Sequence, residues 1–214
     1  MRTQSVLGSV LVIAIVIVTF APQGLLAQDV GSWCPDGQKA FKSGKYEDAN
    51  LALSSCLYSP PEDPKLAAAG HVMRGETYIE RLDYVAALSD FDQAIELDPD
   101  NALAWREKAW AHYKQNDLHP AITSIDQSLK ADPHNTESQH INAQILTALG
   151  RTGKAMDAYD LAYAFESKER VRKLQQALVA QGYEVGTLDG VYGAQTREAL
   201  KACIASQCNL LWAD

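Results

Sequence analysis

The stretch LDPDNALAW, residues 97–105, returns 34 residues later as ADPHNTESQ, residues 131–139. The same period continues on both sides of this connector, where small side chains recur and a bulky one follows them. The register contains Gly75, Ala109 and Ala143, then Ala87, Ala121 and Ala155, then Phe91, Ile125 and Tyr159, then Ala94, Ser128 and Ala162. A fixed period of this length, with small residues where two helices must touch, predicts a solenoid of helix–turn–helix units.

Packing and chain termination explain each recurring residue. A small residue on the first helix of a unit lets the second helix approach closely, and the bulky residue fills the space between neighbouring units. Pro99 and Pro133 end second helices, because proline cannot continue the hydrogen-bond ladder. The pattern resembles the tetratricopeptide repeat, a family of two-helix units that build protein-binding superhelices. The resemblance implies an all-α solenoid over residues 31–167, with a degenerate first unit at 31–62 and further units at 63–99, 100–133 and 134–167.

In this family the first helix of each unit lines a concave groove, so the resemblance implies a site for a protein or peptide that the sequence does not identify. The positions that it assigns to the groove are Phe41, Lys42, Val72, Glu76, Ile79, Glu80, Arg106, Trp110, Tyr113, Lys114, His140 and Gln144. The third unit places two aromatic rings between two cations, and aromatics with arginine are common anchors of protein interfaces. An alternative role for Trp110 and Tyr113 is packing against the neighbouring unit. The Lys/Asn set with which some members clamp a peptide carboxylate is absent, so that ligand is not expected.

After the repeats, residues 174–200 form the stretch LQQALVAQGYEVGTLDGVYGAQTREAL. Leu174 and Leu178 share one face of a helix, and Gly182 is suited to end that helix in a left-handed conformation. Asp189 and Gly190 form a tight-turn pair, since Asp bonds local amides and Gly supplies a positive φ. The stretch therefore predicts two helices joined by a glycine-rich turn.

The spacing of these residues resembles the peptidoglycan-binding-like domain, a small three-helix module appended to many cell-wall proteins. The resemblance implies a second domain at residues 168–214 that recognises the peptide or glycan of the wall. It implies candidate contacts at Tyr183, Asp189, Tyr192 and Arg197. The aromatic–glutamine pair usual after the last alanine of the motif is replaced by Cys203 and Ile204. An alternative is that the first helix merely caps the solenoid and that the rest is a tail.

Residues 1–27 predict a secretory signal peptide. Arg2 precedes the continuous apolar run VLGSVLVIAIVIVTFA at residues 6–21, and PQGLLA then leads to Ala27, after which cleavage is expected. An uncleaved anchor is the alternative, although the run of 16 residues is shorter than the roughly 20 that span a bilayer. We therefore expect export to the periplasm, with no stable membrane anchor after cleavage.

Export changes how the four cysteines are interpreted. An even number of cysteines in an oxidising compartment suggests disulfides, and four cysteines allow three pairings. If the first helix pair turns near residues 43–44, Cys56 returns to the level of Cys34, which predicts a Cys34–Cys56 disulfide. Cys203 and Cys208 then remain to pair with each other. Free buried thiols are the alternative, and neither C-x-x-C nor a nearby histidine suggests a metal site.

The sequence argues against two classes of function. A net charge of −8 does not suit nucleic acid binding, which needs clustered Lys and Arg. No H-E-x-x-H, G-x-S-x-G or plausible Cys–His pair occurs, so neither an enzyme nor a cofactor is expected. The predicted function is an exported adaptor that binds a protein through its repeats and peptidoglycan through its last domain. The alternative is an envelope scaffold whose last domain no longer binds peptidoglycan.

Overall fold

The computed structural model describes residues 26–206 and residue 208, and this part of the chain is all helical. Most of the predicted signal peptide, residues 1–25, lies outside the described residues. The helices of the described part are α1 Leu26–Trp33, α2 Pro35–Lys42, α3 Tyr46–Tyr58, α4 Pro64–Glu80, α5 Tyr84–Leu97, α6 Ala102–Lys114, α7 Leu118–Ala131, α8 Thr136–Ala148, α9 Thr152–Ala164, α10 Lys168–Ala180 and α11 Ala194–Ala205. None of them is long and apolar enough to cross a membrane.

Helices α2 to α9 form four successive pairs, and each pair packs against the next. The recurring small residues allow the close contacts within these pairs. Phe91 of α5 is fully buried against Gly75 of α4, where a Cβ atom would lie 2.5 Å from the ring. A side chain at Gly75 would therefore force the two helices apart, which is the reason for the small residue in the repeat.

The connector that recurs in the sequence determines where the first helix of a unit begins. Asn101 is the N-cap of α6, and its side-chain oxygen accepts a hydrogen bond of 3.0 Å from the backbone N–H of Ala104. Asn135 caps α8 in the same way. Trp105 Nε1 also donates a hydrogen bond of 2.9 Å to the Pro99 carbonyl oxygen. The conserved spacing of the connector thus supplies partners for backbone groups that a helix start leaves unpaired.

The turn within each unit depends on one residue in the left-handed conformation. Gly44, Leu82, Asn116 and Gly150 occupy this position with φ values of 68°, 60°, 62° and 71°. The backbone N–H of each donates to the carbonyl three residues earlier, which ends the first helix and reverses the chain. Glycine and asparagine tolerate this conformation, whereas leucine does not favour it.

The first unit departs from the predicted pair of helices. A further helix, α1, precedes Cys34, and the helical path breaks where Pro35 begins α2 without an N–H group. Cys34 is fully buried and forms a disulfide with Cys56, at a Cα–Cα distance of 5.9 Å. Val30 of α1 and Met73 of α4 belong to the same buried cluster. Helix α1 thus adds an apolar cover to the first unit that the sequence did not predict.

Helices α10 and α11 form the described part of the C-terminal module. Ser167 caps α10 directly after the last repeat, and Cys203 pairs with Cys208 at a Cα–Cα distance of 5.0 Å. The third helix that the family resemblance implies is not among residues 168–206 and 208. Tyr159 of α9 and Leu200 of α11 belong to one buried apolar cluster. The module therefore shares its core with the last repeat.

Candidate functional site

The first helices of the units line one face of the solenoid, which we call the inner face. Helix α2 contacts α4, α4 contacts α6, and α6 contacts α8, so these four helices follow one another along it. The residues that the sequence assigns to the groove lie on these helices. The structure divides them into a partly exposed set and a buried set.

Trp110, Tyr113 and Lys114 of α6 belong to the partly exposed set. The rings of Trp110 and Tyr113 stack with their centroids 5.6 Å apart, and Lys114 Nζ lies 4.5 Å from the centre of the Trp110 ring. Both rings also pack against the buried cluster that contains Ile145. Burial raises the pKa of the Tyr113 hydroxyl. Trp110 and Tyr113 therefore combine the two predicted roles, because both rings pack against the core and both retain some exposed surface.

Phe41 and Ile79 are also partly buried. Phe41 packs edge-on against Tyr46 of α3, with ring centroids 5.9 Å apart, and joins the core of the first unit. Ile79 packs against the buried cluster of the second unit. These two residues therefore contribute apolar surface at the N-terminal end of the inner face, with most of their contacts inside the protein.

Arg106 differs from its predicted role as an exposed groove residue. Its side chain is buried, and its Nε and Nη2 atoms donate to Glu107 Oε1 at 2.9 and 2.7 Å. Its Nη1 atom lies 3.5 Å from Glu137 Oε2 of the next unit. The guanidinium therefore joins two units of the solenoid and does not present a free charge to a partner.

His140 is likewise buried, in contrast to its predicted place on the groove surface. Its Nε2 atom hydrogen-bonds Glu166 Oε2 at 3.3 Å, and its ring packs edge-on against Tyr163 at 4.7 Å. Burial acts to raise the pKa of Glu166, but hydrogen bonds from His140 and the Ser167 backbone, together with Arg170, lower it overall. His140 thus links α8 to the C-terminal end of α9 and to Glu166, which follows it.

Two carboxyl groups one helical turn apart, Glu76 and Glu80, lie on α4. Burial raises the pKa of Glu76 well above its usual value, and the Glu107 carboxylate raises it further although Arg106 opposes this. Burial also raises the pKa of Glu80. The inner face therefore contains carboxyl groups whose ionisation is unfavourable, because both are partly buried.

In the C-terminal module, Asp189 holds its own turn together. Its Oδ1 atom accepts hydrogen bonds from Gln175 Nε2 at 3.1 Å and from the Val191 backbone N–H at 2.9 Å. Gln175 is buried and its Oε1 atom accepts from the Gly190 N–H at 2.9 Å. The Gln175 hydrogen bond, with those of the turn, lowers the pKa of Asp189. The sequence did not single out Gln175, although the L-Q pair at the start of the motif was its signal.

Tyr192 and Arg197, predicted to face the wall, instead contact α9 of the last repeat. Tyr192 Oη donates to Asp160 Oδ1 at 3.0 Å, and Arg197 Nη2 lies 2.8 Å from Asp160 Oδ2. The Tyr192 ring stacks on Tyr163 at 4.8 Å. Tyr183, the fourth predicted contact, hydrogen-bonds Ser206 within the module. The module therefore directs two of its predicted ligand residues toward the solenoid.

Comparisons with protein families match both parts of the chain. The model described as tetratricopeptide repeat matches residues 72–136 and 107–169. The model of a peptidoglycan binding domain matches residues 167–203. Across residues 26–206 and 208, no three His, Cys, Asp or Glu side chains are grouped so that they could hold a metal ion. The family matches thus cover α5 to α10 and most of α11, together with the second half of α4, whereas α2 lies before the first match.

Curated relatives match the chain over part of their length. Sperm-associated antigen 1 of Mus musculus is 31% identical over 99 residues, which are 46% of this chain and 10% of that protein. The mitochondrial import receptor subunit TOM70 of Homo sapiens is 29% identical over 124 residues, which are 55% of this chain and 20% of that protein. The chain thus corresponds to a tenth to a fifth of these relatives.

Solved structures confirm the fold of the repeats. The crystal structure of MamA superimposes with a TM-score of 0.58 at 17% identity and covers 84% of this chain and 93% of MamA. The first repeat domain of Spaghetti (RPAP3), solved with the HSP90 peptide SRMEEVD, has a TM-score of 0.52 at 23% identity and covers 59% of this chain and 99% of that domain. These structures show the fold of the repeats, and the family matches show that the chain contains tetratricopeptide repeats followed by a peptidoglycan-binding-like domain.

Proposed function

We propose that this protein is an exported, non-catalytic adaptor that holds a protein segment on the inner face of its repeats and peptidoglycan on its last domain. The observation that carries the first half is the stack of Trp110 and Tyr113, two large rings that retain exposed surface on α6. Large aromatic side chains at the centre of a concave surface are common anchors of protein segments. The peptide bound by the RPAP3 repeat domain supports a peptide ligand as a class.

Two observations support export. The apolar run at residues 6–21 follows Arg2, as in a secretory signal peptide. The structure also pairs all four cysteines as Cys34–Cys56 and Cys203–Cys208. Disulfides persist in oxidising compartments such as the bacterial periplasm. We therefore place the adaptor in the periplasm, in contact with the wall.

The wall-binding half rests on the match at residues 167–203 and on the intact turn around Asp189. Because Tyr192 and Arg197 are engaged with Asp160, we assign wall contact to the exposed side of that turn. Leu188 and Val191 lie there with 44% and 51% of their surface exposed. Apolar side chains commonly line ligand sites.

Replacement of Trp110 tests the repeat surface. We expect Trp110→Ala to lose about 2 kcal/mol or more of partner binding free energy, because it removes a partly exposed aromatic anchor. Capture of proteins from an envelope extract, compared with the wild type, measures this loss. Trp105→Ala is the matched control, since Trp105 lies on the same helix but bonds the Pro99 carbonyl of the connector.

The competing role of Trp110 is purely structural. In that case Trp110→Ala would cost roughly 3–5 kcal/mol of folding stability, as a buried aromatic does. A urea unfolding curve separates the two results. A large loss of stability without a specific loss of captured protein would contradict the binding role.

Cosedimentation with purified peptidoglycan sacculi tests the wall-binding half. We expect the full chain to sediment at moderate salt, which screens nonspecific charge attraction. The double replacement Leu188→Ala and Val191→Ala should abolish most of this binding. Val179→Ala is the control, because Val179 is 48% exposed on α10, away from the turn.

The second candidate function is a scaffold whose module no longer binds the wall. The engagement of Tyr192 and Arg197 by Asp160 favours it, because these side chains then serve contacts inside the protein. A folded full chain that does not sediment with sacculi, but still captures a protein from the extract, would establish this alternative.

A further inference from the structure

One carboxylate of the last repeat receives two side chains of the C-terminal module. Arg197 Nε lies 3.0 and 2.9 Å from the two oxygens of Asp160, and its Nη2 lies 2.8 Å from Oδ2. Tyr192 Oη donates to the same Oδ1 at 3.0 Å. Asp160 and Arg197 side chains are 33% and 37% exposed. A guanidinium that meets a carboxylate through two nitrogens has a restricted orientation, which a single ion pair does not impose.

Aromatic packing supports the same contact. The rings of Tyr163 and Tyr192 are stacked 4.8 Å apart, with an angle of 25° between their planes. Burial and the Asp160 carboxylate raise the pKa of the Tyr192 hydroxyl, which therefore remains a donor at neutral pH. The module thus contacts two side chains one helical turn apart on α9, the Tyr163 ring and the Asp160 carboxylate.

A second ionic contact joins the start of the module to the repeats. Arg170 of α10 lies 3.1 Å from Glu166 and 3.8 Å from Glu137 of α8. The two contacts involve both helices of the module, since Arg197 belongs to α11. Two separated attachments on two helices prevent rotation about the short connection at residues 165–167.

From this geometry we infer that Asp160 is the positioning residue that holds the C-terminal module on the last repeat at one fixed angle, so that repeats and module move as a single body. The inference goes beyond the proposed function and does not require that the module bind the wall. If the adaptor function also holds, a protein segment on the inner face is kept in one orientation relative to the wall. A flexibly linked module would not impose that orientation.

A charge exchange in the full chain tests this inference. Asp160→Arg places a cation against Arg197 and should loosen the attachment of α11 to α9, although the apolar cluster shared by the two helices remains. The double variant Asp160→Arg with Arg197→Asp restores opposite charges with the positions reversed. Asp157→Arg is the control, because Asp157 is exposed on the same helix and has no ion pair among the described residues. Nitrogen-15 NMR relaxation gives the rotational correlation time of α10–α11 and of α4–α7 separately.

In the wild type and in the Asp157→Arg control, both parts should share one correlation time. In Asp160→Arg, the effective correlation time of α10–α11 should fall below that of α4–α7, because the apolar contacts that remain do not fix the angle of the module. The double variant should return to a single correlation time. Asp160→Arg with unchanged tumbling would overturn the inference, since the module would then be fixed without this residue.

Loss of the fold is distinguished from release by the chemical-shift dispersion of the module amides. If the module of Asp160→Arg unfolds, recovery of both dispersion and common tumbling in the double variant supports the inference. Failure of the double variant to recover overturns it. Neither readout involves sacculi, so a failed wall-binding experiment has no bearing on this result.

Discussion

One residue in the left-handed conformation determines the geometry of each turn in this solenoid, and the residues at this position differ in how readily they adopt that conformation. The left-handed position recurs with the repeat, and glycine or asparagine fills it in three of the four units. Leu82 fills it in the remaining unit while 72% of its surface is exposed. In this conformation the Cβ atom lies too close to the following carbonyl oxygen, which costs roughly 1–2 kcal/mol unless a short polar side chain bonds locally. Leu82 gains little from burial that would offset the strain.

We expect Leu82→Asn to raise the free energy of unfolding by about 0.5–1 kcal/mol, because asparagine adopts the left-handed conformation more readily. Urea unfolding measures the change. Leu51→Asn is the matched control, since Leu51 is 66% exposed within the regular helix α3. That change should lower stability slightly, because asparagine is a poorer helix former. Equal effects of both changes would show that loss of exposed apolar surface, rather than strain, decides the outcome.

At the scale of an element, α4 combines a buried apolar side with two partly buried carboxyl groups. Glu76 and Glu80 lie one turn apart on it, and burial raises the pKa of both. A carboxyl group with a raised pKa binds its proton more tightly in the folded chain than in the unfolded chain. Its contribution to stability is therefore fully present below the unfolded pKa and is lost as pH rises through the folded value.

Replacement of Glu76 by glutamine should remove its share of the stability that is lost as pH rises. We expect Glu76→Gln to raise the melting temperature at about pH 7.5, because loss of this proton stabilises the unfolded wild-type chain relative to the folded one, and glutamine has no such proton. The difference should shrink toward about pH 4, near the unfolded pKa of a glutamate. Thermal unfolding across this pH range measures it, with Glu62→Gln in the exposed connector as control. A Glu76→Gln curve parallel to that of the wild type at all pH values would contradict the prediction.

Across the whole molecule, the features with a local sequence cause could be predicted and those set by distant contacts could not. Gly75 and Phe91 both belong to the 34-residue register. A small residue on one helix that recurs with a bulky residue on the next predicts that the two helices touch, as Gly75 and Phe91 do. The Cys34–Cys56 pair follows from counting along one antiparallel pair. Asp157 and Asp160 are both acidic residues of α9, and only the docking of α11 distinguishes them.

The candidate site shows the same limit. The repeat register assigns Arg106 and His140 to the inner face, but it does not give their depth. Arg106 pairs with the adjacent Glu107 and also with Glu137 from the next unit. His140 bonds Glu166 from the end of the last unit. The two contacts with distant carboxylates depend on the fold and are not visible in the repeat register. Helix α1 was missed for a similar reason, because it precedes the repeat period and is stabilised by packing on α2 and α4.

The shared core predicts that the last repeat depends on the module. Tyr159 and Tyr163 of α9 are 0% and 7% exposed, in one cluster with Leu174 and Leu200. In a chain that ends at Glu166, the side chains of α10 and α11 no longer cover these two rings. We expect amide hydrogen exchange in α8 and α9 to accelerate about tenfold or more, which corresponds to about 1.4 kcal/mol of local stability. Helices α4 and α5 serve as the internal control, because their core does not include the module. Unchanged exchange in α8 and α9 would mean that the repeats are complete without α10 and α11.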